Sequence, residues 1–129
     1  MKYYHSKIIA GITLDALRPR VVEELKKEGF GILTEIDLQA TMKKKLNKDY
    51  LPHIILGACN PQYADKVLSI EPTVSTMLPC NVTMRELGNG DVEVAIIAPS
   101  AAMSAIGNDA LAEAANDVEE KLKTILNNI

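Results

Sequence analysis

The feature that most constrains the fold is a tight turn signal, the run GNGD at residues 88–91, between two segments that alternate apolar and polar side chains. Asn-Gly tolerates the positive φ angles that short β-hairpin turns require. The segments on either side, residues 77–87 and residues 92–98, therefore predict two antiparallel strands joined by a hairpin. Alternation along a strand places its apolar side chains on one face and its polar side chains on the other.

The rest of the chain predicts strands that alternate with amphipathic helices. The clearest helix is C-terminal, where apolar side chains recur at intervals of three and four from Leu111 to Ile129. Thr13 can cap an earlier helix, although Pro19 within it predicts a kink or a start nearer Arg18. The complete order of elements predicts an α+β fold, with an antiparallel sheet and helices packed on one face. We expect all 129 residues to form a single domain of this kind.

Two further strands precede the hairpin. Residues 30–36 alternate so that the even-numbered side chains share the face turned toward the helices. Residues 51–58 form the next strand, and Asn60-Pro61 then begins a short helix, with Asn as the cap and Pro at the first helical position. Residues 71–73 are expected to be a linker.

Composition and charge narrow the classes of function. Fourteen Lys and Arg against seventeen Asp and Glu give a formal net charge of −3, so no global positive field draws the chain to nucleic acid. No signal peptide and no apolar run of membrane-spanning length is present in the sequence, which predicts a cytoplasmic protein without a membrane partner. In a reducing compartment the two cysteines are expected to be free thiols, metal ligands or a transient redox pair. The sequence identifies no cofactor.

The sheet face turned away from the helices is expected to have an apolar centre. Alternation along the strands sends Leu33, Ala95 and Ile97 to this face, and Ile55 joins them. Apolar patches on soluble proteins commonly mark interaction sites. We interpret this face as the interface of a homodimer, and a covering loop is the alternative.

The two cysteines are the main candidates for chemistry. If the strands before and after the short helix pair with each other, Cys59 and Cys80 lie close together. Cys59 also precedes a helix N-terminus, where backbone amides and the helix dipole favour negative charge. Asn60 and Asn81 add amide groups, and His53 lies at the far end of the strand that carries Cys59. These five residues form the predicted site of a small ligand-binding or thiol-dependent module.

Three interpretations of this site stay open at the level of sequence. In the first, Cys59 is a reactive thiol with Cys80 as its resolving partner, or the two bind a soft metal ion such as Cu(I) or Zn(II). In the second, both cysteines are inert apolar side chains of the core, and the protein is a purely structural or interaction homodimer. In the third, the junction between strand and helix binds a small anion through its backbone amides.

Three short runs carry a resemblance to a known family. They are GFGILTEID at residues 29–37, ILGACNP at residues 55–61 and MLPCNV at residues 77–82. Together they resemble the domain of unknown function 302 family of small bacterial and archaeal proteins, and the likeness extends over nearly the whole chain. The resemblance implies a fold like that of the TATA-binding protein, with a curved antiparallel sheet backed by helices, and a dimer. It implies no activity, so no catalytic residue is carried over, and Pro19 departs from the pattern.

Overall fold

The computed structural model describes residues 2–129, which contain a five-stranded, fully antiparallel sheet. The order of strands across the sheet is β1-β5-β4-β3-β2, so β4 is central and β1 and β2 are the edges. The strands are β1 (Tyr4–Ile9), β2 (Gly31–Asp37), β3 (His53–Cys59), β4 (Cys80–Glu86) and β5 (Val92–Ile97). The predicted hairpin is therefore the pair β4 and β5, and the predicted α+β class with an antiparallel sheet is confirmed.

Five α-helices connect or follow the strands. They are α1 (Leu14–Lys27), α2 (Leu38–Leu46), α3 (Pro61–Ile70), α4 (Pro99–Met103) and α5 (Asp109–Asn127), and short 3-10 helices cover Pro72–Met77 and Ser104–Ile106. Side-chain caps explain three of the starts. Thr13 accepts a hydrogen bond from the Ala16 amide (3.2 Å), Asp37 accepts from the Ala40 amide (2.9 Å), and Asn108 accepts from the amides of Ala110 and Leu111. Among residues 2–129, no helix combines the length and apolar character needed to cross a membrane.

The helix α1 begins at Leu14 and continues through Pro19, so the alternative start nearer Arg18 is wrong. A proline at this position removes one backbone hydrogen bond and costs about 3 kcal/mol or more. The helix tolerates it because its apolar stripe, which includes Leu17 and Leu25, is completely buried. Burial of each such side chain contributes about 1.5–3 kcal/mol, so the stripe outweighs the proline.

The main core lies between one face of the sheet and the helices α1 and α5. Leu17 and Val21 of α1 and Leu122 of α5 pack there against sheet residues such as Leu56 and Val82. A smaller apolar cluster joins α3, α4 and the start of α5. The helix α2 has no buried residue and connects the ends of β2 and β3.

The opposite side of the sheet, called here the open face, is lined by side chains that are half-buried or exposed, with Gly57 the exception. Its middle row runs across all five strands, since each residue is paired with the next in the register: Ser6, Ala95, Thr83, Ile55 and Ile36. The row beside it consists of Ile8, Glu93, Arg85 and His53. Residues paired across antiparallel strands point to the same face, which defines the surface.

Two predictions of local structure are corrected. A bulge between Ile32 and Thr34 shifts the alternation of β2, so Thr34 and Ile36 lie on the open face and not on the helix side. Leu33 is at this bulge and is 65% exposed. The expected linker at residues 71–73 is instead the beginning of the 3-10 helix Pro72–Met77, and β4 consequently starts at Cys80.

Candidate functional site

The structure brings Cys59 and Cys80 to the wall of one cavity. Cys59 is the last residue of β3 and Cys80 is the first residue of β4. These strands are antiparallel neighbours in which Ala58 pairs with Cys80, so the two cysteines occupy adjacent positions at the same end of the sheet. Both thiols are free. The cavity lies between this end of the sheet and the helices α3, α4 and α5.

The cavity is small and predominantly apolar. Its volume is about 30 Å³. Its wall is formed by aliphatic, aromatic and proline side chains, with Asn60 at its edge and with Met103 contributing a third sulfur-bearing side chain. Ligand pockets for organic molecules usually have volumes of roughly 300–1,000 Å³. The cavity is therefore an order of magnitude too small for a typical organic substrate.

Burial governs the ionisation of Cys80. Loss of hydration, with a smaller contribution from the neighbouring Cys59, raises the pKa of the Cys80 thiol to about 11. Cys80 is consequently protonated at neutral pH in the free protein. A thiol in this state is a poor nucleophile, because the thiolate is the reactive form.

Asn60 occupies the N-cap position of α3, as predicted, but its side chain does not cap the helix. Its side chain makes no hydrogen bond to the first turn of α3. The Asn60 amide nitrogen Nδ2 instead donates to the backbone carbonyl of Glu28 at 3.3 Å, at the end of α1. Pro61 does occupy the first turn, as predicted. Asn60 thus holds the end of α1 to the start of α3, and the first-turn amides of α3 receive no side-chain cap.

His53 and Asn81 do not join the cysteines. Both line a groove on the open face, together with Thr83, Arg85 and Glu93. The groove has a volume of about 400 Å³. Asn81 faces away from the cavity because it follows Cys80 in a strand, and consecutive strand residues point to opposite faces. The five-residue site predicted from sequence is therefore divided between two surfaces of the sheet.

The charged groups of the open face largely neutralise one another. Arg85 donates from Nε to Glu93 Oε1 (2.9 Å) and from Nη2 to Glu93 Oε2 (3.4 Å). Partial burial, with a smaller effect from the adjacent Arg85, lowers the pKa of His53 from 6.5, although Glu93 opposes this shift. His53 is therefore neutral at pH 7, and these three side chains carry no net charge together.

Three of the four residues predicted for the dimer interface share the open face of the sheet. Ile55 and Ala95 belong to the middle row of the open face, and Ile97 lies on the same face of β5, paired with Tyr4. Leu33 is different, because it lies at the bulge and has no partner in the register between β2 and β3. The apolar surface extends to both edges of the sheet, since Ile8 is 57% and Ile36 is 44% exposed.

A polar cluster that the sequence did not reveal lies between β1, α4 and α5. Glu119 of α5 accepts hydrogen bonds from the Ser100 backbone amide (3.0 Å) and hydroxyl (2.6 Å), and its other oxygen lies 3.2 Å from His5 Nε2. Burial alone would raise the pKa of Glu119, but the bonds from Ser100 and His5 outweigh burial and lower it below 4.5. In the sequence, this cluster was indicated only by the position of Glu119 beside the apolar stripe of α5.

Within residues 2–129, no group of three or more His, Cys, Asp or Glu side chains is arranged to hold a metal ion. A structural zinc site usually has four nitrogen, sulfur or oxygen ligands in a tetrahedron. The two cysteines and the distant His53 do not provide this set. The Zn(II) version of the metal hypothesis therefore has no support in the geometry.

Comparison with known proteins gives a family but no activity. The family model for DUF302, a domain of unknown function, matches residues 7–129. The crystal structure of an uncharacterised conserved DUF302 protein from Bacillus stearothermophilus is similar, with a TM-score of 0.91 and 28% sequence identity over 99% of this chain and 98% of that chain. No curated protein shows significant similarity to the chain.

Proposed function

This chain belongs to the DUF302 family, and we propose that it acts as a self-associating interaction module in which the open faces of two copies pack against each other. The observation that carries this proposal is the open face itself, a partly apolar surface that extends across all five strands and whose charged side chains Arg85 and Glu93 neutralise each other. A two-fold axis through the central strand β4 would place Thr83 of each copy near the centre of the interface, because Thr83 lies in the middle row of that strand.

Charge favours a second copy over a nucleic acid as the partner. The Arg85 side chain is already engaged by Glu93, and His53 is neutral at pH 7. Nucleic-acid affinity depends on several Lys or Arg side chains that are available to phosphates. A surface without net charge meets an identical surface without electrostatic repulsion, which a two-fold symmetric interface requires.

The dimensions of the open face suit a dimer of modest strength. Five strands about 4.8 Å apart and six or seven residues long, at about 3.3 Å per residue, give a flat area of roughly 500 Å². Two such faces give roughly 1,000 Å² in total, which is at the lower limit for specific interfaces. We therefore expect association that depends on protein concentration.

The structure gives less support to thiol-dependent catalysis. The raised pKa of Cys80 keeps its thiol protonated near neutral pH, and the cavity does not have room for an organic substrate. The free thiols suit a reducing compartment, and we accordingly propose the cytoplasm as the location.

The test is to place one charge on the open face. Ala95→Asp buries an unpaired carboxylate in the proposed interface, and we expect it to convert the dimer to a monomer in size-exclusion chromatography with light scattering. Ala112→Asp is the matched control, because Ala112 is exposed on α5, away from the open face. This control should remain a dimer.

Two results would contradict the proposal. One is a wild-type protein that is monomeric at every concentration measured. The other is an Ala95→Asp variant that remains folded by circular dichroism and still associates as strongly as the wild type.

A further inference from the structure

The side chains of the middle row change in size from one edge of the open face to the other. On one side of the central strand β4, the row consists of the small residues Ser6 and Ala95, in β1 and β5. On the other side it consists of the large residues Ile55 and Ile36, in β3 and β2. Thr83 of β4 lies between them. The open face therefore has a low half and a high half that meet at the central strand.

Two copies can meet through this face in two symmetric ways, because a two-fold axis in the plane of the interface can run along β4 or across the strands. An axis along β4 lays β5 of one copy over β3 of the other, since these strands flank β4 on opposite sides. The low half of each face then meets the high half of the other. An axis across the strands, along the middle row, lays each strand over its own counterpart, so large side chains meet large ones and small side chains meet small ones.

Packing favours the axis along β4. The side chains of two facing sheets interdigitate in a layer about 10 Å thick. With the axis along β4, Ile55 of each copy lies over Ala95 of the other, so large and small side chains alternate in this layer. With the axis across the strands, the two Ile55 side chains compete for one space, while the two Ala95 methyl groups leave a gap. Overpacked sites and cavities are both destabilising.

The charged side chains favour the same axis. Arg85 and Glu93 lie on one side of the middle row, and Ile97 lies on the other. An axis along β4 lays each side of the row over the same side in the second copy, so charged groups meet charged groups. An axis across the strands exchanges the two sides and lays the Arg85–Glu93 pair over Ile97. The pair would then lose hydration without gaining a partner, which is costly.

The two Arg85 side chains do not oppose this arrangement. An axis along β4 brings them to the same level of the central strand. Each guanidinium group is hydrogen-bonded to Glu93 of its own chain, on the β5 side. Because the two β5 strands lie on opposite sides of the axis, the two guanidinium groups are directed away from each other.

We propose that the two copies are related by an axis that runs along β4, so that Ile55 of each copy packs on Ala95 of the other. This inference rests on the proposed function and adds how the two faces meet. The strands of the two sheets then run in the same direction, within the roughly 30° that aligned sheet packing allows. Each open face is occupied by one partner, so the assembly ends at two copies.

Thiol cross-linking distinguishes the two arrangements. Ala95→Cys and Ile55→Cys are treated with a short bifunctional thiol reagent, each alone and in an equal mixture. An axis along β4 predicts a cross-link between the two variants in the mixture and none within either variant alone. The two copies of position 95 are then displaced by two strand spacings, about 10 Å, as are the two copies of position 55. Intact-mass spectrometry identifies each product, because the two variants differ in mass.

Three controls accompany the two probes. Thr83→Cys lies on the axis in both arrangements, so it should cross-link to itself whenever the open faces meet, and it tests the proposed function alone. Ala112→Cys is exposed on α5, away from the open face, and should not cross-link. The wild type gives the background from the native Cys59 and Cys80. Circular dichroism verifies that each variant is folded.

The outcomes separate this inference from the proposed function. If Ala95→Cys or Ile55→Cys cross-links to itself as efficiently as the mixture does, the axis along β4 is wrong and the dimer stands. A mixture that gives no cross-link, although Thr83→Cys does, overturns the axis in the same way. If Thr83→Cys gives no cross-link and the wild type is monomeric in light scattering, the proposed function fails and this inference fails with it.

Discussion

Gly57 lies within β3, an inner strand of the sheet. Substitution of Gly57 by alanine should strain the packing between β3 and its neighbours. A Cβ atom at this position would lie 2.8 Å from Pro79 Cγ and even closer to Thr34 Oγ1. Thr34 belongs to β2, and Pro79 is the residue immediately before β4. The ring of Pro79 has little freedom to move aside. The glycine of the run ILGACNP is thus explained by sterics, because the absence of a Cβ leaves room for the side chains of Thr34 and Pro79.

The expected cost combines two opposing effects. Forcing a methyl group into a packed site costs about 1–3 kcal/mol. Replacing a strand glycine with alanine returns about 0.5–1 kcal/mol of backbone entropy. We therefore expect Gly57→Ala to lower the free energy of unfolding by about 1–2 kcal/mol, which corresponds to a fall in Tm of roughly 3–8 °C for a domain of this size.

Urea unfolding and thermal unfolding, both followed by circular dichroism, measure this effect. Gly31→Ala is the matched control, because no atom lies within 4 Å of its added Cβ and its φ is not in the left-handed region. It should be neutral or slightly stabilising. In a Thr34→Ala background the cost of Gly57→Ala should shrink by about 0.5 kcal/mol or more, as expected for residues in contact. A Gly57→Ala variant as stable as the wild type would refute the steric argument.

Three other predictions concern charged and titratable groups. Glu119→Gln should cost about 1.5–3 kcal/mol at pH 7, the usual range for hydrogen bonds to a charged group. Because the pKa of Glu119 is lowered from 4.5, its contribution to the free energy of unfolding is present above that pH and is lost on acidification. The free energy of unfolding, measured with urea between pH 7 and pH 3, should therefore depend less on pH in the variant than in the wild type. Arg85→Glu should dissociate the proposed dimer, because it places two carboxylates side by side on the open face. The double variant Arg85→Glu with Glu93→Arg should restore the dimer, as measured by light scattering. Equal association of the wild type, the single variant and the double variant would exclude this part of the face from the interface. Because the pKa of His53 is lowered from 6.5, the dimer should weaken as pH falls below that value, and His53→Gln should remove this dependence in a pH series of sedimentation runs.

Much of the fold could be predicted because its signals are local. The Asn-Gly turn is a property of adjacent residues, and it fixed the pairing of β4 with β5. The cap at Asn108 and the apolar stripe of α5 are likewise contained in single segments.

The bulge in β2 could not be predicted from the sequence. One additional residue at Leu33 reverses the faces of Thr34 and Ile36, yet no unusual residue marks it. The tolerance of α1 for Pro19 also depends on tertiary packing, because burial of the apolar stripe against the sheet offsets the free-energy cost of the proline.

The candidate site was only partly accessible to sequence reasoning. The adjacency of Cys59 and Cys80 follows from strand pairing and could be anticipated. The separation of Asn81 from Cys80 also follows from the two-residue period of a strand, and the prediction that grouped them overlooked it. Met103 could not be placed, since its position depends on how α4 packs against α5.

The most direct test of the central claim is sedimentation equilibrium of the unmodified protein over a wide range of concentrations at pH 7.5. Association through the open face predicts a mass that rises with concentration from 14.1 kDa toward twice that value, without larger species. A mass of 14.1 kDa that stays constant up to the highest concentration would contradict the account.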